Sequence, residues 1–360
     1  MAARSSERET PRNKPVATLK LRSKTEVQSV KTVEASLSAR AVLGQAAIIS
    51  RPQQIELQVI EFRDPAAGEV RVRIEGCGVC ASNLPVWEGK PWFEYPLEPG
   101  APGHEAWGRI DAVGEGVTDL VPGDRVAMLS SHAFAEYDFA APSEVVQLPS
   151  ALDGAPFPAE PLGCAVNIFK RALISPGETV AIVGIGFLGT LLTQLATNAG
   201  ARVLALSHRR SSLKLAEEFG AAATIQIDDE QRAVQNVKRL THGRGCECVI
   251  EAAGTQESLD LASDLTSERG RLVIAGYHQD GPRQVNMQLW NWRGLDIINA
   301  HERDPLVYVE SMREAIAAVE AGVMDPRPLY THTFTLDELS RAFNALDTSP
   351  EGFIKALITL

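Results

Sequence analysis

Apolar and polar positions alternate along three short runs near the start of the body of the chain, at 46–49, 55–60 and 69–74, each bounded by Pro or Gly. A period of two marks strands with one buried face, so these runs predict an antiparallel β region. Pro96, Pro99 and Pro102 mark a loop, after which strand character resumes at 108–113 and 124–128. Beyond residue 165 the texture changes. Compact apolar runs at 178–183, 202–206, 248–251 and 271–275 alternate with segments of helical periodicity. That alternation predicts an α/β fold with a doubly wound parallel sheet. A helical run at 312–321 and a closing strand at 353–359 are expected to return to the first region. No internal repeat is present. The expected boundaries are an extension over 1–44, a β-rich domain over 45–165 and 301–360, and a nucleotide-binding domain over 166–300.

A chain of 360 residues exceeds what one core usually supports, which agrees with two domains. The net charge of −11 argues against nucleic acid as a partner, because phosphate contacts need a basic surface. No apolar run approaches membrane-spanning length, so no membrane partner is expected. Five cysteines, an odd number in a large chain, do not suggest a disulfide framework; a reducing cytoplasmic setting is the expectation. The first forty residues stand apart: nine basic residues face only Glu7, Glu9, Glu26 and Glu34, and aromatic residues are absent. This stretch reads as a mobile extension.

The chemistry is carried by two features. Gly184-Ile-Gly-Phe187-Leu188-Gly189 follows the run at 178–183, and Leu188, Leu191, Leu192 and Leu195 then repeat at helical spacing until Gly200. A lone G-x-G-x-x-G is weak, but strand, glycine turn and helix in this order form a dinucleotide site. The glycines, Gly186 among them, let backbone approach a pyrophosphate at the helix N-terminus. Upstream stand Cys80 and the run Gly103-His104-Glu105. A thiolate and an imidazole ahead of a nicotinamide loop point to metal-assisted hydride transfer.

Four stretches in this order resemble the medium-chain, zinc-dependent alcohol and polyol dehydrogenases: 76–82, 103–108, 160–164 and the glycine loop. Residues 121–126 and 352–357 support the resemblance, which covers the chain from about residue 46 onward. It implies a GroES-like β-rich catalytic domain interrupted by a Rossmann domain, with one catalytic zinc between them. A catalytic zinc needs three protein ligands and an open position. Cys80 and His104 supply two. The third is open among Cys164, Glu160 and Glu105, with Cys164 narrowly favoured; an i, i+4 spacing puts Glu160 and Cys164 on one helix face. Cys77, Cys246 and Cys248 are expected to pack in cores. No cysteine lies between 81 and 163, so the family's structural zinc lobe is not expected.

Ser82 matches the hydroxyl that opens the family's proton relay. Leu84-Pro85 stand where its histidine is usual, and Asn83 replaces the customary aspartate. The second Rossmann strand should end in an acid if the cofactor is NAD; here Ser207 holds that place and His208, Arg209 and Arg210 follow, which favours NADP(H) over NAD(H). Lys355 matches the family's basic residue in the last strand and is expected at the pyrophosphate. Trp87, Trp92 and Phe93 lie on the segment that walls the family's substrate cleft, while Tyr277, His278 and His301 follow strand ends where ligands of open sheets bind. The expected reaction is hydride transfer between NADP(H) and a small-molecule secondary alcohol, polyol or sugar-like substrate. A zinc-free enoyl or quinone reductase, or a non-catalytic nucleotide binder, are the rivals. Pairing of the strand at 295–300 across a two-fold axis implies a homodimer or homotetramer.

Overall fold

The structure, a computed structural model, describes residues 41–360; the basic extension otherwise lies outside the described residues. The first strand begins at Val42, so positions 42–44, assigned to the extension from sequence, belong to the folded body. Val42–Arg51 pairs with Gln54–Phe62 in an antiparallel hairpin closed at Pro52-Gln53. The outer strand exposes every other side chain while Ile55 and Leu57 rest on the core. This alternation is the period-two pattern that a half-buried strand requires.

A seven-stranded sheet forms the β-rich part, centred on Val70–Val79. That strand pairs antiparallel with Glu105–Val113 on one side and with the C-terminal strand Lys355–Thr359 on the other. Tyr330–Thr335 runs parallel to Lys355–Thr359 at the sheet edge. The chain thus leaves this sheet after Val145–Gln147 and returns to it nearly two hundred residues later. Trp87, Phe134 and Phe343 fill the core beneath it, with the Trp87 and Phe343 rings stacked.

Between these passages lies a six-stranded parallel sheet. In sequence order its strands are Thr179–Val183, Arg202–Ser207, Ala223–Gln226, Cys246–Glu251, Thr266–Ile274 and Asp296–Asn299, and in space they run 3-2-1-4-5-6. The reversal between the first and fourth strands is the point at which this architecture binds dinucleotides. Val180 to Ile182 are wholly buried, as expected of a strand covered on both faces. Cys246 and Cys248 lie inside this core, and burial pushes both thiols up to about 12, so they pack as small hydrophobes. Helix Ala159–Ala172 joins the two sheets and packs on helices Phe187–Asn198 and Pro305–Glu320. Its Asn167 amide donates to the Ala300 carbonyl at 3.1 Å, tying it to the end of the sixth strand.

Gly189 sits where helix Phe187–Asn198 crosses the first parallel strand; a Cβ there would lie 2.0 Å from the Gly184 carbonyl oxygen. Gly189→Ala should therefore destabilise the chain by about 1–3 kcal/mol, through forced separation of strand and helix. A lowered urea midpoint with an unchanged slope is the expected result.

Candidate active site

Cys80 ends the strand Val70–Val79, and a short 3-10 turn, Ala81–Asn83, carries the chain away from the sheet. His104 immediately precedes the neighbouring strand Glu105–Val113. Because these strands pair with Gly78 opposite Glu105, the two loops emerge side by side. Donor atoms of Cys80, His104 and Glu105 lie within 4.8 Å of one another. Asn83 braces the arrangement: its Oδ1 accepts from the Cys80 amide at 3.4 Å, and its Nδ2 donates to the Pro102 carbonyl at 3.2 Å. One amide side chain therefore ties both loops together.

The same Pro102 carbonyl lies 3.0 Å from His104 Nδ1. A carbonyl can only accept, so Nδ1 keeps its proton, and Nε2 is the nitrogen that can give its proton up to a metal. Burial lowers the His104 pKa, but the adjacent Cys80 sulfur and the carboxylates of Glu160 and Glu105 outweigh it and take it up to about 10. On helix Ala159–Ala172 the Cys164 thiol donates to Glu160 Oε1 at 3.3 Å, and burial raises the pKa of both groups. The i, i+4 spacing thus does place these two side chains together.

Glu105 is fully buried. Its carboxylate packs against the Cα of Gly78, where a Cβ would lie 1.8 Å from Oε2. Both its oxygens lie 2.6 Å from the ammonium of Lys355, itself buried. Lys355, expected at the pyrophosphate, is instead buried and paired with Glu105. Strand pairing brings it under the sheet, where a buried ammonium needs a carboxylate partner. Its Nζ also lies 5.0 Å from the centre of the Phe187 ring, at the first turn of the glycine-loop helix. A single side chain consequently touches the thiol–imidazole–carboxylate cluster on one side and the dinucleotide loop on the other.

In that loop Gly184 turns at φ +98° and Gly186 caps the helix N-terminus. A Cβ added at Gly186 would meet no atom within 4 Å, which leaves the helix end open to a ligand. Ser207 closes the second strand, and its hydroxyl accepts from the Arg209 amide at 3.2 Å. Arg210 Nε donates to Gln226 at 3.0 Å, and His208 is exposed.

The profile of the alcohol dehydrogenase GroES-like domain matches residues 66–150, and that of the zinc-binding dehydrogenases matches 188–320. Galactitol 1-phosphate 5-dehydrogenase of Escherichia coli K12 is 32% identical over 245 residues, 59% of this chain and 69% of that protein. Sorbitol dehydrogenase of Halalkalibacterium halodurans is 26% identical over 331 residues, covering 82% of this chain and 92% of its own. The chain belongs to the zinc-type medium-chain alcohol and polyol dehydrogenases. The fold of an alcohol dehydrogenase from E. coli CFT073 in complex with NADH superposes with a TM-score of 0.78 at 24% identity, over 88% of this chain and 99% of that one. The protein is an oxidoreductase, a zinc-dependent alcohol dehydrogenase working with a nicotinamide cofactor.

Several residues expected to wall the dehydrogenase's substrate cleft serve elsewhere. Trp87 is buried against Phe343, because the helix Leu84–Glu88 turns its apolar face inward. Phe93 packs on the same core, and Trp92 is largely exposed. Both ring nitrogens of His278 are engaged: its Nε2 lies 2.7 Å from the buried Glu251, while Nδ1 accepts from Arg283 at 3.0 Å. Glu251 further accepts from the amides of Ala253 and Gly254 and from the Ser258 hydroxyl, each at 2.7 Å. This knot joins the loops that follow the fourth and fifth parallel strands. Tyr277, next to it in sequence, is half-buried, and burial raises its phenol pKa. His301 lies at the outer rim, its Nε2 3.2 Å from the Gln279 amide. Ser82 is half-buried beside Cys80.

Tyr308 escaped sequence reading. Burial, with the Cys164 and Glu160 side chains, pushes its phenol pKa up, and its hydroxyl lies 3.4 Å from the Glu302 carbonyl. A signal existed, since Tyr308, Met312 and Ala315 share one helical stripe whose later members are buried.

Two expectations follow from these networks. Burial raises the Glu251 pKa, but His278, the Gly254 amide and Ser258 outweigh it and hold the carboxyl below its usual 4.5. Its stabilisation is complete above pH 4.5 and lost as pH falls through the depressed value, so wild type should weaken more steeply than Glu251→Gln in urea melts between about pH 5 and 3. For the buried pair, Lys355→Met should cost about 3–5 kcal/mol by leaving Glu105 uncompensated, and Lys355→Met with Glu105→Gln should recover part of that loss in the same assay.

Proposed function

We propose that this enzyme interconverts a secondary alcohol, of the polyol or sugar-like class, and its ketone with NADP(H), using one zinc per subunit held by Cys80, His104 and Glu160. The observation that carries this reading is the approach of the Cys80 thiol and the His104 imidazole beside Glu105, whose partner Lys355 reaches the glycine-loop helix. The donor set suits zinc, which takes sulfur, imidazole and carboxylate in closed or three-ligand sites. Glu160 is preferred to Glu105 because Glu105 is already paired with the buried Lys355, and drawing it to the metal would strand that ammonium. It is preferred to Cys164 because that thiol acts as a hydrogen-bond donor to the Glu160 carboxylate.

When bound, zinc stabilises the alkoxide form of the substrate and so lowers the barrier to losing hydride from the adjacent carbon. The remaining work falls to the chain. Asn83 and the Pro102 carbonyl keep His104 in the tautomer that presents Nε2. The Ser82 hydroxyl takes the substrate hydroxyl's proton in a hydrogen bond and passes it to water, since no histidine follows it in the turn. The phenols of Tyr277, which follows the fifth parallel strand, and Tyr308, on helix Pro305–Glu320, offer donors to further hydroxyls of a polyol. The relatives' names, sorbitol and galactitol 1-phosphate 5-dehydrogenase, support a hydroxylated carbon chain as substrate.

NADP(H) follows from Ser207, which adds no charge where a ribose-binding acid would repel a 2′-phosphate, and from the cations beside it. A homodimer is expected through the edge strand Asp296–Asn299, whose outer side is unpaired among the described residues. Ile297, Met287 and Trp292 expose apolar surface beside it. No helix among the described residues is long and apolar enough to cross a membrane.

Elemental analysis of the purified enzyme should give about one zinc per chain, falling towards zero in Cys80→Ser and His104→Ala. Glu160→Gln should lower zinc occupancy more than Cys164→Ser; the reverse order would transfer the third ligand to the thiol. Across a panel of polyols and ketones, kcat/KM should fall at least about a thousandfold in the zinc-depleted variants.

A further inference from the structure

The glycine loop supplies half of a dinucleotide site; the other half is the end of the second parallel strand, where the adenosine ribose lies. There the structure shows an anion already in place. Helix Arg210–Glu218 begins just after Ser207, and the Ser211 amide in its first turn has no intrahelical carbonyl to donate to. That amide donates instead to Oε1 of Glu351 at 3.2 Å. Glu351 comes from the other end of the chain, on the turn between helix Leu339–Thr348 and strand Lys355–Thr359. The turn is closed by a bond from the Phe353 amide to the Pro350 carbonyl at 2.9 Å, with Gly352 at φ +83°, which thrusts Glu351 outward. Arg209 grips the same turn, its guanidinium donating to the Phe353 carbonyl at 2.6 Å.

Resting on the NADP(H) reading above, we propose that Glu351 is a resident stand-in for the 2′-phosphate, and that its displacement sets how strongly the enzyme discriminates NADP(H) from NAD(H). A helix N-terminus favours one anion at a time, and the carboxylate occupies the amide that a phosphate oxygen would use. Binding NADP(H) must move Glu351 away and release Arg209 from Phe353 to meet the phosphate. NAD(H), with a neutral ribose hydroxyl there, leaves the carboxylate where it is. Glu351 thus opposes the very preference that Ser207 and the neighbouring cations create. It also fastens the last turn of the catalytic domain to the nucleotide-binding domain while no phosphate is present.

The test uses the full-length, zinc-loaded enzyme and fluorescence titration with NADPH and with NADH. Glu351→Gln removes the charge and keeps the shape, on an exposed turn where folding is unaffected. It should tighten NADPH about tenfold, the effect of one removed negative charge close to a phosphate, and change NADH less than about twofold. NADPH affinity unchanged in Glu351→Gln would overturn the proposal, as would a loss of NADH affinity, which would make the carboxylate a ribose-binding group. Ser207→Asp separates the two readings: if it weakens NADPH while Glu351→Gln does nothing, the cofactor assignment stands and the role given to Glu351 falls. If neither variant changes NADPH affinity, the 2′-phosphate does not lie at this strand end and both fall.

Discussion

The buried pair of Glu105 and Lys355 holds the site together. Two charges removed from water are tolerable only when each satisfies the other, so the first residue of strand Glu105–Val113 and the first of strand Lys355–Thr359 must meet. Their meeting orders three things at once. It fixes the backbone next to His104, it places the Lys355 ammonium beneath the Phe187 ring, and it occupies the carboxylate nearest to the thiol and imidazole. Gly78 is the steric condition for all of this, because any side chain there would collide with the Glu105 carboxylate. The metal cluster and the nucleotide loop are in this sense one construction, sharing a single lysine.

Around that construction the two domains contribute different kinds of rigidity. The β-rich sheet supplies Cys80 and His104 from adjacent antiparallel strands, whose register sets how closely the donor atoms approach. The parallel sheet supplies loops at the ends of its strands, and the Glu251–His278–Arg283 knot keeps two of these loops from wandering. Helix Ala159–Ala172 belongs to both, carrying Glu160 and Cys164 at its start and anchoring its later turns on the nucleotide-binding side. The cleft chemistry is therefore spread over elements that come together only in the finished fold.

What could be read in the sequence was local. Strand, glycine turn and leucine stripe lie within some twenty residues, and their order alone locates the dinucleotide loop. Cys80 and His104 were recognisable from their motifs, and the missing acid at Ser207 from its place after a strand. What could not be read depended on distance or on which way a side chain turns. Lys355 and Glu105 are 250 positions apart, so nothing short of the sheet topology reveals that the lysine is neutralised rather than free. His278 follows a strand end, as a ligand-binding residue would, yet a buried carboxylate at the end of the preceding parallel strand claims it. Trp87 sits in a segment shared with cleft residues, and only the inward face of a five-residue helix assigns it to the core.

The position of strand Lys355–Thr359 in the middle of the larger sheet has a consequence for biosynthesis. Residues 76–79 find one of their two neighbours only in 356–359, so most of the chain must leave the ribosome before that sheet can close. The parallel sheet, drawn from a continuous stretch, can consolidate first and serve as a template. Until the last strand arrives, Glu105 faces solvent without its ammonium, and the thiol and imidazole beside it have no fixed spacing. Competence to take up the metal is accordingly acquired only once residues 355–359 have joined the sheet.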